Sequence, residues 1–174
     1  RFSAEMRADR LDPGLLVTLW RAGLRSLEIG VESVNREMLR QERRRPPEAA
    51  QVERVVEVAQ RLGIRVICNY VLGLVEDDED AIRATVAWAK RLDSFAVQFT
   101  VATPYPGTTL EPRVRDRMLP VLESDLTGFR PTFEHPRLSP QRLAELREWA
   151  YVTYHFRPRY AWRFVRHASA ALLD

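Results

Sequence analysis

The chain has 174 residues, 45% of them hydrophobic, which is enough to bury one core and sets the expectation of a single domain or part of one. Its 27 basic and 24 acidic residues leave a formal net charge of +3, and the basic residues, all arginine except Lys90, are spread along the chain, which is poor support for a nucleic-acid partner that asks for a clustered basic face. The apolar runs stop at about eight residues, against the ~20 a membrane-spanning helix needs, and the single cysteine, Cys68, excludes an internal disulfide and any cysteine-built metal cluster made by this chain alone.

Phe2–Met6 reads as a short strand ending among Glu5, Arg7 and Asp9. Asp12-Pro13 then starts a helix, because Asp caps and Pro suits the first helical position. Leu15, Leu16, Leu19 and Trp20 recur at helical spacing, and Gly23 closes the segment. Leu24–Val31 is the second strand. A short helix over Arg36–Arg40 leads into the basic loop Arg43-Arg44-Arg45-Pro46-Pro47. Val52, Val55, Val56, Ala59 and Leu62 make the next helical stripe, ended by Gly63.

Ile64–Leu72 is the third strand. Its nearly continuous apolar run, interrupted by Cys68 and Asn69, predicts a parallel strand buried on both faces. Gly73-Leu74-Val75 turns into the acids of Glu76–Asp80, which suit a helix N-terminus. That helix carries Ile82, Val86, Trp88, Ala89 and Leu92. Phe95–Val101 is the fourth strand, and Thr103-Pro104-Tyr105-Pro106-Gly107-Thr108 is a loop.

Beyond Gly107 the pattern changes. Glu111–Leu122 suits either a helix or an irregular segment, and Thr127–Pro136 reads as a loop. Ser139-Pro140 opens a helix with Leu143, Leu146, Trp149, Ala150, Thr153 and Tyr154 on one face, broken by Pro158. Ala161–Leu173 is a last amphipathic helix. This tail is expected to cover an end of the sheet, with its aromatic residues from Trp149 to Trp162 in the core.

Four strand–helix alternations imply an α/β fold with a parallel sheet and right-handed crossovers. In such sheets the working residues lie beyond the carboxyl ends of the strands. Glu5 with Arg7, Glu32 with Ser33, Asn69, and Thr103-Pro104-Tyr105 fall there. Each carries two readings. Glu32 is either a solvated strand-end acid or, beside the permissive Gly30 and the Ser33 hydroxyl, a carboxylate for paired hydroxyls such as a ribose. Arg43–Arg45 is a solvated loop or the source of a guanidinium clamp on a carboxylate. Asn69, inside an apolar strand, needs partners, from backbone or from a ligand. Tyr105, between two prolines, shapes a stiff loop or walls a substrate. His135, His155 and His167 lack metal-ligand spacing and read as structural or surface residues.

Taken together, Ser3-Ala4-Glu5-Met6-Arg7-Ala8-Asp9, Ala22-Gly23-Leu24, Ile29-Gly30-Val31-Glu32-Ser33, Gly73-Leu74 and Thr103–Thr108 resemble radical S-adenosylmethionine enzymes, most of all their cobalamin-dependent branch. The resemblance covers about residues 1–110, and Phe156-Arg157-Pro158-Arg159-Tyr160 resembles that branch's C-terminal helical region. It implies a partial (β/α)6 TIM-like barrel made of the C-terminal strands, over 1–110, with a helical C-terminal extension over 111–174. It also implies reductive cleavage of S-adenosylmethionine for methyl transfer, cyclisation or rearrangement of a small-molecule substrate, in the cytoplasm.

The cofactors implied are S-adenosylmethionine, a 4Fe-4S cluster fed by an electron donor, and cobalamin. By the resemblance Glu32 and Ser33 lie at the ribose, Glu5 near the amino group, Arg44 at the carboxylate and Asn69 on the ribose or adenine side. Thr103 and Tyr105 then face the substrate. Two departures stand out. The family's CxxxCxxC cluster loop and its first two strands are absent, so the expectation is a C-terminal piece of a longer protein, inactive alone. Val75 also stands where the family has a proline, which puts the stiffness of that turn in question. Two other readings stay open: a non-catalytic half-barrel that binds a partner, and a phosphate-binding (β/α)8 enzyme, for which Gly107 is an isolated glycine.

Overall fold

The computed structural model of the chain describes residues 1–35, 39–40, 46–160 and 162. Four strands, β1 (Phe2–Met6), β2 (Leu24–Glu32), β3 (Arg65–Leu72) and β4 (Ala96–Val101), lie in the order β1-β2-β3-β4. Every pair is parallel. Between them run α1 (Pro13–Ala22), α2 (Ala49–Arg61) and α3 (Glu79–Leu92). The helix starts follow from local chemistry. The Asp12 carboxylate accepts from Leu15 N–H at 2.9 Å with Pro13 in the first turn, and Asp78 accepts from Ala81 N–H at 2.9 Å. Gly23, at φ 111°, ends α1 in a conformation that a side chain would disfavour.

The strands alternate in burial, and the alternation sorts the sheet into two faces. Leu27, Ile29 and Val31 on β2, Val66, Cys68, Tyr70 and Leu72 on β3, and Val97, Phe99 and Val101 on β4 are buried in one core with Val52, Val56, Ile82 and Val86 of the helices. Between them, Glu28, Gly30 and Glu32, Ile67, Asn69 and Val71, and Gln98 and Thr100 are only half-buried. This corrects the expectation that β3 is buried on both faces. Helices cover one face; the other is the inner wall of a partial barrel, and its apolar residues, Ile67 and Val71, made the run look continuous.

The segment after β4 forms a short helix, α4 (Leu110–Val114), 3-10 turns at Arg115–Arg117 and Glu123–Asp125, and otherwise irregular chain before α5 (Pro140–His155). This region covers the free edge of β4, and Val114 and Phe133 also pack with Leu74 and Ala102 at the carboxyl end of the sheet. Phe99 N–H donates to the Tyr151 hydroxyl at 3.1 Å, Arg147 Nε donates to Phe99 C=O at 2.9 Å, and Val101 N–H donates to Gly128 C=O at 2.7 Å. Backbone groups that would template another strand are thereby occupied. α5 is also tied to α3: Arg142 grips Glu79 at 2.8 and 3.0 Å. Arg157 donates to Asp93 at 3.0 Å and to Lys90 C=O at 2.8 Å.

The tail aromatics divide. Tyr154 is fully buried and Trp149, Tyr151 and Tyr160 pack against the core, whereas Phe156 is 84% exposed. The helix expected at Ala161–Leu173 lies outside the described residues apart from Trp162. Of the one expected at Arg36–Arg40, only Leu39 and Arg40 are described.

Candidate functional site

The register of the parallel strands sets out the inner face row by row. Glu5 lies opposite Glu28, Gly30 opposite Asn69, Asn69 opposite Gln98, and Val71 opposite Thr100. Two of the predicted site residues, Glu5 and Asn69, therefore belong to one wall near the carboxyl ends of the strands, while Glu32, past a register shift, pairs with Tyr70. Asn69 Nδ2 donates to Glu28 Oε1 at 2.8 Å. Its Oδ1 is closed off from solvent and accepts from no described residue. A buried acceptor left unmade costs about 1–3 kcal/mol, so this oxygen needs an explanation in function or in a small rearrangement. Beside it, no atom lies within 4 Å of where a Cβ on Gly30 would sit, which leaves a bare patch of strand.

Glu32 ends β2 under constraint. Its φ of 68° is left-handed, uncommon for a side-chain-bearing residue, and the β2–β3 register shifts between Gly30 and Glu32. This irregularity re-aims the end of the strand. Arg7 feels the negative field of Glu32, although its main partner is Asp9, which it meets at 2.9 and 2.8 Å. That guanidinium holds the Asp9 carboxyl below the usual range.

The remaining predicted residues separate. Ser33 is 1% exposed; its Oγ accepts from Asn35 N–H at 3.1 Å and sits 3.5 Å from Thr85 Oγ1 on α3. The structure places it on the helix side, away from the wall that carries Asn69, because the chain bends at the Glu32 irregularity. Arg44 lies outside the described residues. Thr103 is buried and spends its hydroxyl proton on Val101 C=O at 3.0 Å. Tyr105, 44% exposed, stands on the rim of a cavity of about 110 Å³ at the exits of β3 and β4.

The turn after β3 answers the question raised by Val75. Asp77, 2% exposed, accepts from the N–H groups of Gly73 and Leu74 through one oxygen, at 3.0 Å each. Its own N–H donates to Leu74 C=O at 2.7 Å. Burial pushes the Asp77 carboxyl up to about 7. From the other side, His135 Nδ1 accepts from the N–H groups of Arg137 and Leu138 at 3.2 Å, so its proton is on Nε2, which donates to Leu74 C=O at 2.8 Å. Burial lowers the His135 pKa and favours this neutral form. Gly73 has φ 73°, and a Cβ there would lie 2.6 Å from Leu143 Cδ2 of α5. Side-chain clamps on both sides supply the rigidity that a proline would otherwise give.

Several residues of this region escaped sequence reasoning. Glu28 and Gln98 are signalled only by period-two alternation, Leu27/Ile29/Val31 against Glu28/Gly30/Glu32, inside what reads as one apolar run. Asp77 was hidden among five consecutive acids, and nothing in the sequence marks Gly128. No cluster of three or more potential metal ligands exists among the described residues. Cys68 lies on the helix side, where burial pushes its thiol up to about 12. It is unsuited to hold a metal as a thiolate.

Residues 1–88 match the family described as the Radical SAM superfamily. A Pyrococcus horikoshii protein described as an uncharacterized methyltransferase is 28% identical over 106 residues, covering 60% of this chain and 23% of its own. Among solved structures, Escherichia coli coproporphyrinogen III oxidase (HemN), a radical SAM enzyme, superposes with a TM-score of 0.63 at 18% identity, over 88% of this chain and 31% of that one. TsrM, a radical SAM methyltransferase from Kitasatospora setae with cobalamin and a [4Fe-4S] cluster bound, gives 0.58 at 20% identity, over 68% and 24%. The chain thus spans about a quarter of the length of the curated relative it matches. At these identities the structural likenesses establish the fold, part of a radical SAM barrel.

Proposed function

The chain belongs to the radical SAM superfamily, and from that premise we propose that the inner wall formed by β1, β2 and β3 is its binding surface for S-adenosylmethionine. The observation that carries this reading is the pairing of a buried, unsatisfied Asn69 Oδ1 with the bare strand at Gly30. An adenosyl group offers donors for the first, in its amine and hydroxyls, and a flat surface for the second. Glu32, at the irregular end of β2, would accept from ribose hydroxyls. Glu5, one strand over, would face the amino group. Arg44 would pair with the carboxylate, for which a guanidinium has matching geometry. Ser33 drops out of this set, since its hydroxyl is turned to α3.

When bound and reductively cleaved, S-adenosylmethionine supplies the radical chemistry of the family. This chain holds no set of thiolates for a 4Fe-4S cluster, because Cys68 is its single cysteine and is buried on the opposite face. The cluster's ligands belong to residues outside this chain, as would a cobalamin site. The chain's own part is to hold, orient and shield. The whole protein would act on a small-molecule substrate with an electron donor, by methyl transfer or by cyclisation or rearrangement. The Pyrococcus horikoshii and Kitasatospora setae relatives favour methyl transfer.

Calorimetric titration with S-adenosylmethionine tests this directly. Glu32→Ala should weaken binding by roughly 10- to 100-fold, the worth of one or two charge-assisted hydrogen bonds. Equal affinity in the variant and the parent removes Glu32 from the site.

A further inference from the structure

At the carboxyl ends of β3 and β4 the inner wall runs into the cavity of about 110 Å³ rimmed by Tyr105. Its floor is Val71 and Thr100, which pair in register and face inward. Leu74 and Leu110 close it from a small second core that also holds Ala102, Val114 and Phe133. Gly128 forms the far wall. A Cβ at Gly128 would lie 3.2 Å from Thr100 Cβ and 3.9 Å from the Tyr105 hydroxyl, so the absence of a side chain there keeps this wall thin.

Its lining carries four threonines, Thr100, Thr103, Thr108 and Thr109, with the Tyr105 side chain on the rim. Three of the four threonines, however, offer a guest little hydrogen-bonding capacity. Thr100 donates to Tyr70 C=O at 3.1 Å, Thr103 to Val101 C=O at 3.0 Å and Thr108 to Tyr105 C=O at 2.6 Å. Each hydroxyl has one proton, and each proton is spent on backbone. What these three threonines leave for a guest is methyl groups and weakly accepting oxygens. Among the described residues, no Asp, Glu, Lys, Arg or His lines the space. Among the described residues an ion placed there would find no charged partner, which disfavours it relative to an uncharged group.

We propose that this cavity is a specificity subsite that takes a compact, uncharged, apolar group of the substrate. Scaled from a 150 Å³ cavity that holds benzene, it suits a group of ~4–5 heavy atoms, such as a branched alkyl. The placement rests on reading the carboxyl ends of the strands as the cofactor and substrate side; the selectivity for size and charge follows from the lining alone. Substrates one methylene too large should be rejected by about 10- to 200-fold, the range a rigid apolar pocket reaches.

The probes are isobutanol, benzyl alcohol, butyrate and tert-butylammonium, each titrated into the protein with its Val, Leu and Ile methyl groups isotope-labelled for NMR. Isobutanol should shift the methyl signals of Val71, Leu74 and Leu110 saturably, in the millimolar range, and the two ions should not. Val71→Phe fills the floor and should raise the isobutanol half-saturation by more than about tenfold, through loss of the buried contact. Tyr105→Ala opens the exposed rim and should admit benzyl alcohol. Circular dichroism and melting curves confirm that both variants fold, and Tyr105→Ala keeps the test open if Val71→Phe does not. Equal shifts by the ions, or no saturable shift by isobutanol, overturn the proposal. S-adenosylmethionine is titrated into the same variants. Retained cofactor binding with no isobutanol response sinks the subsite alone, whereas an isobutanol response in a protein that does not bind S-adenosylmethionine sinks the cofactor reading alone.

Discussion

The two faces of the sheet are built from the same strands, one residue apart, and they are governed by different rules. On the helix face Tyr70 and Phe99 pack as tilted rings 5.3 Å apart, and Phe99 also meets Tyr151 edge-on at 5.5 Å and Tyr154 at 6.3 Å. Most side chains there are closed in, although Phe2 at the β1 edge is 41% exposed. On the inner face Glu5, Glu28, Asn69 and Gln98 stand in neighbouring rows, with one carboxylate pinning one amide and an acceptor left over. The division means that stability and binding should respond to different substitutions, and each experiment below is a way to break that rule or tighten it.

The largest effect is expected on the helix face. Phe99→Ala removes a fully buried ring from the aromatic cluster and should cost about 3–5 kcal/mol. Urea denaturation should show a lower midpoint with an unchanged slope. The affinity of the protein that stays folded for S-adenosylmethionine should hold. A parallel fall in affinity would show that the faces are coupled.

Asp77, at the junction of the faces, should give the next effect and give it a pH dependence. Its folded carboxyl titrates near 7 instead of the usual 3.8. Between those values the folded state binds the extra proton, so this group's contribution to stability falls as pH rises from about 4 to about 7, and the penalty is complete above that. Asp77→Asn keeps an oxygen for Gly73 and Leu74 N–H and removes the titration. The stability of Asp77→Asn relative to the parent should therefore grow between pH 4 and pH 8, by at most about 4 kcal/mol. Denaturation curves for the two proteins that run parallel across this range would mean that Asp77 ionises freely and that the turn is open to water.

The legibility of the sequence follows the same division. β1 runs over Phe2–Met6 as expected, β2 extends one residue past the expected Val31, the caps at Asp12 and Ser139 form, and the acids Glu76–Asp80 do open α3, with Asp78 as its cap. These are local events, decided by residues within one turn of each other. Glu32 and Asn69 were visible because a polar group in an apolar strand is conspicuous. The side on which Ser33 lies depends on the register shift and positive φ at Glu32, which no spacing announces. The role of Asp77 depends on a carboxylate folding back onto Gly73 and Leu74, and that of Gly128 on a loop returning to β4 after a long excursion. Long-range placements of this kind leave little trace in a pattern read over ten residues.

The smallest expected effect concerns Glu28, and it bears most directly on what the inner face is for. An ionised carboxylate only accepts hydrogen bonds, so Glu28 forces Asn69 to present its NH2 and turns Asn69 Oδ1 away. Glutamine has the same shape and can either accept or donate. In Glu28→Gln the Asn69 amide can face its neighbour in either sense, and about half the molecules would then turn the oxygen towards residue 28. If Asn69 Oδ1 accepts from S-adenosylmethionine, the apparent affinity should fall by about twofold, the fraction of molecules left competent. Stability should stay within about 0.5 kcal/mol, since the pair still bonds. Glu28→Leu leaves nothing to orient the amide and should cost affinity further, although Glu28 itself never touches the ligand. A purely structural Glu28 would give the reverse order, with stability lost and affinity kept. Calorimetric affinities and urea midpoints measured on both variants decide between the two, because only an oriented amide makes the glutamine variant intermediate in binding while equal to the parent in stability.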